Sequence, residues 1–205
     1  LSVNQLGGLV KSSAVLDRPD TQLYMNPLSY QTFHKGRRKL MKPDNFSGFV
    51  LGFNSCRPKS EGTVSITSSR PGKAPSIRPN YLDHEDDRAE ALVMARLIER
   101  LMTTPALTGI LADEPVTPLN KMDDDTVLAD FRQRGGTVFH LCGTCRMGPD
   151  AASSVVDSRL RVHGVEGLRI CDASAFPNIT SANINAPTMM LAHRAAGMIL
   201  QDGQL

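Results

Sequence analysis

The 205-residue sequence contains no tryptophan, three tyrosines and seven phenylalanines. So little aromatic surface argues against a face built to stack sugars or bases. Neither sign of charge is in excess. Its 23 Lys and Arg against 21 Asp and Glu leave a net charge of +2, too small to point to nucleic acid or an anionic membrane as partner. No apolar run is long enough to span a bilayer. The opening residues, LSVNQLGGLVKSS, carry no initiator Met, no basic leader and no small-residue cleavage site. They read as the interior of a longer protein. The sequence leaves its compartment unknown, with the cytoplasm favoured and any targeting region outside this sequence. The four cysteines, Cys56, Cys142, Cys145 and Cys171, are too few for a disulfide scaffold in a chain of this length. Reduced, mostly buried thiols are expected. There is no internal repeat and no low-complexity tract.

What is present fits a globular protein: 40% hydrophobic and 21% charged residues. Residues 21–28 (TQLYMNPL) and 46–53 (FSGFVLGF) are predicted strands. Residues 63–68 (TVSITS) alternate as a half-buried strand should. The basic stretch from Lys35 to Lys42, with Arg37, Arg38 and Lys39, could be an anion site, but a solvated loop is the plainer account. After a Pro/Gly-rich connection at 70–79, the acids Asp83, Glu85, Asp86 and Asp87 precede apolar residues at helical spacing, Leu92, Ala95, Leu97, Ile98 and Leu101. Acids at the start, with Arg96 and Arg100 near the end, suit the helix dipole, so these acids need no metal to explain them. A second helix is predicted over 124–134, ended by Gly135 and Gly136. Residues 137–140 (TVFH) and 168–171 (LRIC) are read as short strands. The last helix is the clearest. Asn185 could cap it, Pro187 suits its first turn, and Gly203 follows its end.

Two segments could carry chemistry. One is HLCGTCRMG at 140–148; the other is DASAFP at 172–177, followed by NINAPT at 183–188. His140, ahead of a Gly-containing turn, suits proton transfer near neutral pH, although a lone His is more often a satisfied structural residue. Cys142 and Cys145 have a C-x-x-C spacing that could hold zinc or cycle as a dithiol. There is no second pair, and no helix is predicted to begin after the first. Buried structural cysteines are the simpler account. The last helix would offer unpaired amides and partial positive charge at its N-terminus, suited to a developing anion.

Taken in order, four blocks resemble the glucose–methanol–choline (GMC) oxidoreductase family, in particular its choline dehydrogenase-like members. They are RPKSEGTVSITSSRPGKAPSIRPNYL at 57–82, FHLCGTCRMG at 139–148, VVDSRLRVHGVEGLRICDASAFP at 155–177 and NINAPTMMLAHRAAGMI at 183–199. The resemblance implies a flavoprotein that uses FAD to oxidise a small-molecule alcohol to an aldehyde or ketone. It implies that His140 and Asn183 face the substrate hydroxyl while hydride passes to the flavin N5. It also implies that Asp172 and Ala173 pass along the FAD pyrophosphate and ribityl chain. Asn185, Ala186, Pro187 and Thr188 would face the N1–O2 edge of its ring. Leu141 departs from the Pro often found after the family's histidine, which implies a small loop adjustment.

The larger departure is an absence. No G-x-G-x-x-G dinucleotide fingerprint occurs. This chain is therefore expected to be the C-terminal portion of a larger protein. Its partner would be the missing N-terminal half of the FAD domain, in cis or as a separate chain. No nucleic acid and no metal are expected. The implied fold is α+β. An antiparallel-sheet substrate domain with helices would occupy 1–135, and a C-terminal segment at 136–205 would complete a Rossmann-like FAD-binding domain and carry the active-site residues. Two other readings compete. A non-catalytic binding or structural module derived from such an enzyme is favoured by the missing fingerprint and opposed by the retention of His140 and Asn183. A small zinc or thiol protein would be built on Cys142 and Cys145.

Overall fold

A computed structural model describes residues 6–30 and 42–203. The basic stretch lies outside the described residues except for the exposed Lys42. The chain forms two compact units. One joins the residues up to Ser55 with Leu82–Gly136; the other joins Cys56–Tyr81 with the residues from Thr137 onward.

The first unit is built on a three-stranded antiparallel meander, β1 (Leu6–Val10), β2 (Thr21–Asn26) and β3 (Val50–Ser55), in the order β1-β2-β3. Asp20 closes the first connection by accepting from both the amide (2.8 Å) and the hydroxyl (2.5 Å) of Ser12. Gly52 is opposite Tyr24 in the ladder. A Cβ there would lie 2.3 Å from the Tyr24 ring, so only glycine fits beneath it. The strand expected from Phe46 begins only at Val50.

Helix α1 (Glu85–Met102) packs on β3, with Ser55 donating to Glu90 at 2.8 Å. Its acids Glu85, Asp86 and Asp87 occupy the first turn, and His84 caps it by accepting from the Asp86 amide. The buried stripe is Asp87, Ala91, Met94, Ala95 and Ile98, one helical face. A short α2 (Pro105–Thr108) follows. Helix α3 (Asp124–Arg134) occupies the residues that the sequence predicts and is capped by Asp123. Arg96 ties α1 to the approach to α3, donating to the Leu119 and Met122 carbonyls and to Asp124. Phe53 and Phe131 pair with ring centroids 5.6 Å apart.

The second unit holds a hairpin, β4 (Thr63–Ser65) with β5 (Ser76–Arg78). β4 is exposed along its length rather than half-buried. The core of this unit is small: Val156, Leu160, Ala175 and Ala195, flanked by Met147, Val162, Ile170, Cys171 and Leu191. Helix α4 (Asn185–Asp202) packs on it through Ala195. At its far end Asp202 pairs with Arg159 at 2.6 Å and with Arg169.

Three local expectations need correction. Residues 137–140 form no strand, because Phe139 adopts φ +61° and the segment finds no ladder. Residues 168–171 contribute only a single bridge, Arg169 to Arg161. Asn185 is the first residue of α4 rather than its cap. Ile184 takes the cap position and offers no side-chain acceptor. No helix among the described residues is long and apolar enough to cross a membrane. The α+β class stands: antiparallel sheets with packed helices.

Candidate active site

The loop after His140 is held by its backbone. The amides of Gly143, Cys145 and Met147 donate to the carbonyls of Ala173, Ser174 and Ala175, the last two at 2.9 Å. Alternate amides thus zip the 140–148 segment onto the turn at 173–175. Gly143 makes the approach possible: it adopts φ +86°, where L residues are strained, and a Cβ would lie 3.3 Å from the Phe176 carbonyl. Asp172 caps the facing turn, accepting from the Ser174 amide at 2.8 Å and its hydroxyl at 2.5 Å.

Beside this zipper His140 meets Asn183. The amide nitrogen Nδ2 of Asn183 lies 2.6 Å from Nε2 of His140, although the residues are 43 apart in sequence. His140 is half-buried and Asn183 exposed, so the pair opens to solvent on one side. Both are approached through left-handed backbone. Phe139 precedes His140 at φ +61°; Ser181 and Ala182 precede Asn183, both at φ +66°. Non-glycine residues rarely adopt this region, at a cost of about 1–3 kcal/mol each. Three such residues beside one contact mark a place where surrounding structure overrides local preference.

Directly after Asn183, α4 begins without a side-chain cap. Asn185 and Ala186 are exposed, Pro187 has no amide proton, and Thr188 turns inward, its amide (2.9 Å) and hydroxyl (2.7 Å) both donating to the Ile184 carbonyl. The positive end of the helix dipole is therefore open to an electron-rich group.

The cysteines do not form a second centre. Cys56 is buried and Cys142, Cys145 and Cys171 are half-buried, none of them in a disulfide. Burial pushes the Cys142 thiol up against the opposing pull of Arg146, the reverse of what a reactive thiolate requires. Among the described residues no three His, Cys, Asp or Glu side chains come together so as to hold a metal ion.

Sequence reasoning missed the neighbours that brace this contact. The Arg57 guanidinium donates to Ser181 Oγ at 3.2 Å, and the Ala182 amide donates to the Cys56 carbonyl at 3.3 Å. Glu61 pairs with Arg146 at 3.1 Å. Nothing in the residue types Ser181 and Ala182 signals a left-handed turn.

The second unit thus brings a His and an Asn side chain together beside a helix N-terminus that has no side-chain cap. The chain's family follows from comparison. The GMC oxidoreductase family model matches residues 58–192, and the chain belongs to that family, one of FAD-binding oxidoreductases. It is 36% identical over 200 residues to an alcohol dehydrogenase [acceptor] of Pseudomonas putida, covering 98% of this chain and 35% of that protein. It is 36% identical over 196 residues to an oxygen-dependent choline dehydrogenase of Proteus mirabilis, covering 95% and 34%. A formate oxidase variant from Aspergillus oryzae shares the fold, with TM-score 0.76, 24% identity and coverage of 92% of this chain and 33% of that one. The chain spans about a third of the length of the curated relatives it matches.

Proposed function

We propose that this chain supplies the substrate side and the hydroxyl-binding pair of an FAD-dependent alcohol oxidoreductase, with His140 and Asn183 acting on a small-molecule alcohol. The observation that carries the reading is the 2.6 Å contact between their side chains at a solvent-open position. With Asn183 Nδ2 donating, His140 Nε2 is the acceptor and so the base. A hydroxyl entering there finds a complementary pair: its proton can go to Nε2 while its oxygen accepts from the Asn183 amide. His140 then holds the proton that leaves the alcohol, and Asn183 fixes the oxygen.

Bound FAD would supply the hydride acceptor. The residues available to hold it fit that group. The uncapped start of α4, at Asn185, Ala186, Pro187 and Thr188, suits the electron-rich edge of the ring. The turn at Asp172, which is exposed, and Ala173, which is half-buried, would face the ribityl and pyrophosphate chain, with the carboxylate able to accept from ribityl hydroxyls. In this reading 1–135 serves the substrate, although its residues Cys56–Tyr81 pack with the second unit, and 136–205 joins a nucleotide-binding part, in cis or as a separate chain, to complete a Rossmann-like FAD domain. Support comes from α4, which leaves Met189 and Met190 near its start and Ile199 and Leu200 near its end about half or more exposed, apolar surface open to a further partner.

The test is the visible absorption spectrum of the complete protein, with its nucleotide-binding part, before and after mixing with a panel of alcohols. Flavin bands that bleach anaerobically with at least one alcohol are the expected result. A protein that holds flavin but is reduced by none of them would turn the reading toward a non-catalytic module.

A further inference from the structure

The segment that opens the second unit, 56–61, lies against both loops of the candidate site. Arg57 donates to the Ser181 hydroxyl at 3.2 Å, and the neighbouring Cys56 carbonyl accepts the Ala182 amide at 3.3 Å. Cys56 is itself 1% exposed, so this anchor is fixed. Four residues on, Glu61 pairs with Arg146 in the loop that follows His140. That ion pair is largely exposed and holds weakly by itself. The contacts to Ser181 and Ala182 are different in kind, because they grip two consecutive non-glycine residues in the left-handed region. Such a conformation persists only where its surroundings determine it. The residue it delivers is Asn183.

We infer that Arg57 is a positioning residue: through Ser181 Oγ it holds the left-handed Ser181–Ala182 turn and so sets the Asn183 amide against His140. The inference rests on the proposed alcohol oxidation only for its kinetic readout. Arg57 is far from the reacting atoms in role. In this scheme its effect on Asn183 travels through the Ser181 hydroxyl and one backbone turn. A guanidinium suits the task better than an ammonium because its planar donors keep direction.

The experiment is a double-mutant cycle of Arg57→Met and Ser181→Ala in the complete flavoprotein, with Arg57→Lys as the conservative variant. Three quantities are read: the rate of flavin reduction at saturating alcohol, the KM for that alcohol, and the His140–Asn183 distance in crystal structures of the variants. Arg57→Met is expected to slow reduction about tenfold to a hundredfold, as a displacement of about 1 Å does, with little change in flavin content. Arg57→Lys should recover part of the rate. In the Ser181→Ala background, Arg57→Met should slow reduction by a clearly smaller factor than in the wild type, and the crystal structure of Arg57→Met should show the 2.6 Å contact lengthened. Rates that fall additively, or a contact that stays in place in Arg57→Met, overturn the inference. Wild-type flavin that no alcohol reduces sinks the proposed function instead, and the crystallographic distance still judges Arg57.

Discussion

Replacing His140 by Ala in the complete flavoprotein should slow reduction of the flavin by alcohol by about 10²–10⁴-fold, the usual contribution of a positioned general base. Flavin content should stay as in the wild type. The two effects separate because the pieces are separate. His140 sits at the start of the zippered loop and meets Asn183, whereas the groups assigned to the cofactor are the turn at Asp172 and Ala173 and the first turn of α4. The zipper itself uses backbone amides from Gly143 onward and does not involve the imidazole, so the loop should survive the substitution. Rapid mixing with alcohol under anaerobic conditions reads the reduction rate directly. Adding Asn183→Ala should cost less than the product of the two single losses, since both residues act on one oxygen. A His140→Ala protein reduced at the wild-type rate would remove this residue from the chemistry.

The second large effect concerns the platform under the site. Leu160 is 1% exposed, at the centre of the small core with Val156, Ala175 and Ala195. Ala175 also supplies the carbonyl that takes the Met147 amide, so this core and the zipper share a wall. Leu160 sits at φ +65°, held by a turn in which Asp157 Oδ1 accepts from the amides of Arg159 (2.8 Å) and Arg161 (2.9 Å). Leu160→Ala leaves that strained backbone in place and removes the packing that compensates it. A loss of about 2–5 kcal/mol is expected, seen as a clear fall in Tm with earlier flavin release on heating. Ile66→Ala is the matched control, because Ile66 is 91% exposed. It should change stability by no more than about 0.5 kcal/mol. Equal melting of the two variants would mean that this core does not carry the unit.

Much of the arrangement was legible in the residues, and the reasons differ by element. Helix α1 announces itself through acids ahead of an apolar stripe, and α3 through the glycines that end it at Gly135. His140 and Asn183 stand out because they lie in motifs that occur in order, and the structure brings their side chains together. The residues 137–140 and 168–171 misled for one reason. β-branched and aromatic runs express what a strand would tolerate, but a strand also needs a partner. Here Phe139 turns left-handed, and Arg169 makes one bridge. Asn185 looked like a cap because its side chain is a good acceptor, yet the helix begins one residue earlier in its hydrogen bonding, at the Ile184 carbonyl. The bracing by Arg57 could not be read at all. It depends on the sign of φ at Ser181 and Ala182, which neither residue type encodes.

The most direct test of the account is a crystal structure of the complete flavoprotein with an alcohol, or an unreactive alcohol analogue, bound. A single ligand oxygen is expected within about 2.6–3.2 Å of both His140 Nε2 and the Asn183 side-chain amide, taking the place of their mutual contact. An oxygen held elsewhere, with the His140–Asn183 contact intact beneath the ligand, would contradict it.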